Sequence, residues 1–184
     1  MDYHMISGYG ILTLVIFRVI WGLIGSTHSR FRSFVNLSEL IPHTRRLLKR
    51  DQAKIAGHNP LGALSIIAML LVLGTQATTG LFANDDIFLE GPLVHLVDDA
   101  TSDRLTTVHH FCAKALYVLI GLHLAAIIFH EIYQRERLVL PMISGYKKGL
   151  PASVDKPSFR REYVTASGLL ATCAGFVYWL VKYV

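Results

Sequence analysis

The chain has 184 residues, 52% of them hydrophobic, and a formal net charge of +5. Its mean hydropathy lies well above that of an ordinary soluble domain, and apolar runs of about 20 residues are the mark of membrane helices. Only two cysteines occur, Cys112 and Cys173, both inside such runs, so neither a disulfide framework nor a thiolate metal site is implied.

Four apolar runs cover residues 5–25, 61–82, 108–132 and 163–184, so the expected fold is all-α: an integral membrane bundle of four transmembrane helices. The first run is too long for a signal peptide and has no small-residue cleavage site, so none is expected. His4 stands at its start, with Gly8 one turn further on, where a missing side chain lets a flat group approach the backbone. Read alone, His4 is an interfacial histidine. Arg18, fourteen residues on, faces either an anion or cavity inside the bundle, or snorkels to the inner headgroups.

Residues 26–57 form a basic connection with Phe31, Phe34, Val35 and Leu37 between its arginines, as suits a loop at anionic lipid. Asn59 and Pro60 then supply a helix cap and a first helical position. His58 and His28 lie near this inner edge. The second run carries no ionisable group. Ser65, Thr75, Gln76, Thr78 and Thr79 are expected to hydrogen-bond between helices, Gly62, Gly74 and Gly80 to permit close packing, and the helix as a whole to serve as scaffold.

Residues 83–107 are acidic, with Asp85, Asp86, Glu90, Asp98, Asp99 and Asp103 against Arg104 alone. Residues 26–57 and 131–162 carry seven lysines and arginines each. The positive-inside rule places the two basic segments in the cytoplasm and the acidic one outside. The basicity is thus a topology signal rather than a nucleic-acid footprint. Stretches 87–89 and 93–97 are expected to lie along the outer surface, with His95 unassigned. Both termini then lie outside, and a preceding helix that starts in the cytoplasm would carry residue 1 there.

The third run holds His109, His110, His123 and His130. Imidazoles in a membrane helix cost free energy and mark function. His109 and His123 are fourteen apart, roughly 21 Å of rise and about 40° short of whole turns, so they share one face near opposite sides of the bilayer. That spacing suits two stacked hemes, each taking one axial imidazole from this helix. The first and third runs cross in the same direction, so His4 lies level with His109, and Arg18 with His123. His4 and His109 can hold an outer heme as neutral imidazoles. Ala113, one turn below His109, is small. His110 points about 100° away, Lys114 snorkels outward, and His130 sits at the inner interface. His123 finds no histidine at its depth on any other run, and Arg18 could there neutralise a propionate. The fourth run has no histidine and ends in an aromatic belt of Tyr178, Trp179 and Tyr183.

The stretches HMISGYG and FRVIWGLIGSTHSRF, then GHNPLGALS and TGLFANDD, then VHHF, GLHLAAIIFHE and LVLPMISG, resemble the bacterial cytochrome b561 family in order and kind. The nearest branch looks like the cytochrome b subunits that accompany Ni,Fe-hydrogenases. The resemblance implies a heme-binding membrane domain over residues 1–149, followed by a linker and an extra C-terminal helix over 150–184. It implies two b-type hemes, with ligands from the first two helices and from a pair fourteen apart on the fourth. His4 corresponds to the second-helix ligand, and His109 and His123 to the fourth-helix pair. The family's first helix has no counterpart here. An upstream start, a helix from another chain or the loss of the inner site would each explain that, and the first is the expectation. One heme rather than two is then open for this chain, unless a second copy in a homo-oligomer supplies the missing ligand.

Bis-histidine iron has no open position, which suits electron passage rather than substrate binding. The resemblance implies exchange between the quinone pool and a redox partner, a hydrogenase or a c-type cytochrome, across the bacterial cytoplasmic membrane. An electron-transfer subunit is expected rather than a stand-alone enzyme. The alternatives are a superoxide:quinone oxidoreductase, as some relatives are, and a non-redox anchor or metal-binding protein. Transporters show acidic residues or broken helices at the midplane, and this sequence shows neither there.

Overall fold

In the computed structural model, which describes residues 2–26, 29–34, 60–85, 87, 89–133, 139–140 and 159–184, four long helices carry the chain. They are α1, Asp2–Ile24; α2, Pro60–Gly80; α3, Asp99–Ile128; and α4, Phe159–Tyr183. All four are long and apolar enough to cross a membrane. The shortest, α2, has 21 residues, roughly 32 Å at 1.5 Å each. Large apolar side chains face outward along them: Phe111, Tyr117 and Leu122 are 69%, 77% and 63% exposed. In lipid such exposure costs nothing, and the backbone is satisfied within each helix.

The helices pack in the order α3–α2–α1–α4, with α2 against α3 the most extensive contact. Among the described residues, α1 and α3 do not pack along one another over any length. A small core at the end expected to be outer joins α1, α2, α4 and the α2–α3 connection through Leu12, Ala77, Leu81, Leu93 and Val177, with Tyr9 and Phe82 around it.

α1 ends in a tight turn. Gly25 N–H donates to the Trp21 carbonyl at 2.9 Å, and Arg30 Nε to the Gly25 carbonyl at 2.7 Å. A one-turn helix, Phe31–Phe34, follows. The Phe31 ring lies directly against Gly22, in the space a Cβ there would need.

The α2–α3 connection is shorter and more ordered than its polar sequence suggests. α3 begins at Asp99 rather than near residue 108, because Asp98 caps it: its Oδ1 accepts from Thr101 N–H at 2.7 Å. Asp99 adds a favourable charge to the first turn. The apolar run marks only the part of this helix that meets lipid. Asn84 pairs with Glu90 in an isolated bridge, and within stretch 93–97 a short 3-10 helix forms over Val94–Leu96. Gly91 N–H donates to Ala83 O at 2.7 Å and Leu93 N–H to Leu81 O at 2.8 Å. Gly91 is needed there, since a Cβ would run into the Leu81 carbonyl. Ser102 Oγ donates to Phe82 O at 2.8 Å, which ties the start of α3 to the end of α2.

α3 closes on a π-helical turn, Phe129–Tyr133, which buries His130. Cys112 and Cys173 are both buried free thiols. Most of the two basic connections, together with His28, His58 and Asn59, lies outside the described residues.

Candidate heme-ligand site

His4 lies in the first turns of α1 and His109 a third of the way down α3, and the direction of the helices brings them level. Their ring centroids are 6.2 Å apart, with the planes at 84°. Metal–imidazole bonds run to about 2.0–2.1 Å, and a ring centroid lies roughly 1 Å behind its nitrogen. Two imidazoles on opposite sides of one metal ion thus put their centroids about 6 Å apart. The His4–His109 pair has that separation.

His109 is half-buried, and the last turn of α2 grips it. Nδ1 lies 2.9 Å from the Gln76 carbonyl oxygen. A carbonyl only accepts, so Nδ1 carries the proton and Nε2 keeps its lone pair, the tautomer that ligates metals. The Gln76 side chain addresses that same lone pair, its Nε2 donating to His109 Nε2 at 2.9 Å, so a metal bound there would take the place of the amide. Thr79 Oγ1, which gives its own proton to Thr75 O at 2.7 Å, sits 3.4 Å from Nδ1. Gly80 completes the seat. A Cβ there would stand 2.8 Å from His109 Cε1 and 3.1 Å from Nδ1.

His4 is exposed and more lightly held, with Ser7 Oγ donating to its carbonyl at 2.8 Å. At Gly8, one turn on, a Cβ would meet nothing within 4 Å, so the backbone there is open to a flat group. The donor set and this open face fit a heme held between the two imidazoles. His110 is exposed, its ring 6.2 Å from that of His109 at 73°, and it belongs to the neighbouring face of α3. Among the described residues no three histidines, cysteines or carboxylates gather around one point, so the site is a pair and not a cluster.

His123 and Arg18 do not meet in any hydrogen bond or ring contact. Arg18 turns toward the inner end of α1. Its Nη1 donates to the Ser29 carbonyl at 3.1 Å, and its Cζ lies 4.9 Å over the Phe31 ring. Its stem borders an apolar groove of about 220 Å³ with Ile11, Leu14, Val15, Leu70 and Leu73. His123 is half-buried on α3 and has no hydrogen-bond partner among the described residues. His130 lies edge-on to Phe129 at 5.9 Å, two turns further. His95 is part of the frame: its ring Nε2 donates to the Val184 carbonyl at 2.8 Å, joining the α2–α3 connection to α4.

Gln76 and Gly80 have the roles expected of them, a hydrogen bond between helices and close packing; what the sequence does not tell is that both meet the His109 ring. Gln76 does signal some partner, as the one carboxamide of α2, since an amide in hydrocarbon needs one.

The fold and the donor set define a class: a multi-pass helical membrane protein with paired imidazoles, the equipment of a b-type membrane cytochrome. The family model described as prokaryotic cytochrome b561 matches residues 1–145, and the chain belongs to that family. Among its relatives are proteins named probable Ni/Fe-hydrogenase B-type cytochrome subunit. The one from Azotobacter vinelandii is 26% identical over 166 residues, 78% of this chain and 66% of the relative. That from Bradyrhizobium diazoefficiens is 24% identical over 164 residues, 79% and 65% respectively. That from Rhizobium leguminosarum bv. viciae is 28% identical over 163 residues, 77% and 66%. This chain therefore spans just under two thirds of the length of these relatives. No solved structure matches it.

Proposed function

We propose that the chain carries electrons between the quinone pool and a redox partner, with His4 and His109 as the axial ligands of one heme and His123 as a ligand of a second, deeper one. The observation that carries this is the His4–His109 pair, 6.2 Å between centroids, with the His109 tautomer that leaves Nε2 for a metal. A b-type heme, when bound, supplies a one-electron iron couple with both axial positions filled. The protein's part is to bring the two imidazoles level on separate helices and to fix the tautomer and orientation of His109.

His109 and His123 share a face of α3 about 20 Å apart along its axis, which would set two redox centres on opposite sides of the hydrocarbon layer. Arg18, which also donates to the Ser29 carbonyl, is the candidate to neutralise a propionate of the deeper heme. The basic connections are read as cytoplasmic and the acidic outer segment as facing away from the cytoplasm, in a bacterial cytoplasmic membrane. The names of the relatives support a hydrogenase as partner, and exposed Asp98, Asp99 and Asp103 offer it an acidic landing surface.

The test is heme per polypeptide by pyridine hemochrome on detergent-purified protein, with reduced-minus-oxidised spectra. One or two b-type hemes, reducible by a quinol, are expected. Purified protein with no reducible heme bands would overturn the proposal. Conversion of His109→Ala should remove the outer heme.

A further inference from the structure

The last turn of α2 does more than support α3. Residues 76, 79 and 80 lie on one helical face, at i, i+3 and i+4, and all of them address a single ring. The Gln76 carbonyl takes the Nδ1 proton at 2.9 Å. The Thr79 hydroxyl stands by at 3.4 Å. Gly80 presents bare backbone where a methyl group would press on Cε1 and Nδ1. A carbonyl oxygen has two lone pairs, so that of Gln76 can take the Nδ1 proton beside its helical bond; α2 ends here, where Leu81 and Phe82 N–H reach back only three residues, to Thr78 and Thr79. An imidazole whose Nδ1–H is bonded to a carbonyl is a more basic ligand, fixed in tautomer and orientation.

We infer that Gln76, through its backbone carbonyl, and Gly80, through its missing side chain, are the positioning residues of the His109 ligand, so that the potential and affinity of the outer heme are set from α2. This rests on the proposal that His109 ligates a heme. A more basic imidazole stabilises ferric over ferrous iron, so the contact holds the potential down. Loosening it should raise the potential and weaken binding.

The experiment compares Gly80→Ala with Gly74→Ala in the full-length, heme-loaded protein. Both make the same change in the same helix. At Gly80 the new Cβ meets the ring at 2.8 Å, whereas at Gly74 it meets only Val15 Cγ1 at an ordinary 3.6 Å. Gly80→Ala should lower affinity for the outer heme by about 10–100-fold, the usual effect of losing an outer-shell partner, and raise its midpoint potential. Gly74→Ala should change neither. An unaltered potential in Gly80→Ala, or an equal change in Gly74→Ala, would overturn the inference. If Gly80→Ala does not fold, pulsed EPR on the unsubstituted protein decides: the remote nitrogen of the ligating imidazole should show a hydrogen-bonded N–H, and a free N–H overturns the inference. Absence of heme from the unsubstituted protein would instead strike at the proposed function, so the two failures are distinct.

Discussion

Replacing the two histidines one at a time should separate ligation from packing. His4→Ala and His109→Ala are both expected to abolish the outer heme, because one axial imidazole does not hold a b-type heme at this site. Their effects on the heme-free protein should differ. His4 is exposed and its ring makes no hydrogen bond among the described residues, so its loss is worth within about ±0.5 kcal/mol. His109 is half-buried and hydrogen-bonded through both ring nitrogens. Its removal forfeits the Nδ1–H bond, about 1 kcal/mol, and strips the Gln76 carboxamide of its partner, about 1–3 kcal/mol. The Oε1 of that carboxamide is already buried without one. His109→Ala should therefore be roughly 2–4 kcal/mol less stable than His4→Ala. Heme content by pyridine hemochrome and denaturant titration of the heme-free forms in detergent, followed by circular dichroism, read both effects. Equal stability of the two variants would refute the packing argument, and retention of heme by His4→Ala would refute the pairing.

A ferric heme held by both rings with their planes kept at 84° would give a strongly anisotropic low-spin EPR signal; an ordinary rhombic spectrum would contradict that geometry. Gly91→Ala drives a Cβ into the Leu81 carbonyl, and overpacking of this kind costs about 1–3 kcal/mol, to be seen as a lower unfolding midpoint with the heme spectrum of the folded fraction unchanged. Arg18→Gln gives up the charged bond to Ser29 and the contact with Phe31. It should loosen the inner turn by about 1–2 kcal/mol while leaving the outer heme bound; loss of that heme would contradict the placement of Arg18 at the inner end.

Much of this arrangement is legible in the sequence, for identifiable reasons. Apolar run length marks α1, α2 and α4 to within a few residues, because lipid imposes it. The level placement of His4 and His109 follows from counting helices and directions alone. The nine extra residues at the start of α3 were hidden, since a helix outside the hydrocarbon layer carries no apolar signal and only the Asp98 cap betrays it. Gln76 as partner of His109 was hidden for another reason. Two antiparallel helices can slide or rotate past each other without changing their composition, so which polar residue meets which ring is decided by packing, here by the bare flank of Gly80.

The hairpin of α2 and α3 also bears on how the protein is assembled. Its two arms touch more than any other pair, and the segment between them is pinned by Ser102 to Phe82 and by Asn84 N–H to Thr106 at 3.1 Å. Such near-neighbour contacts form with little loop-closure cost, so this pair can enter the bilayer as a unit with the His109 ring already seated. α1 supplies His4 from a helix that barely touches α3, and so acts as the closing jaw. A cofactor would then meet a fixed imidazole first and an adjustable one second. That order lets a single chain capture a planar molecule without building the whole slot beforehand.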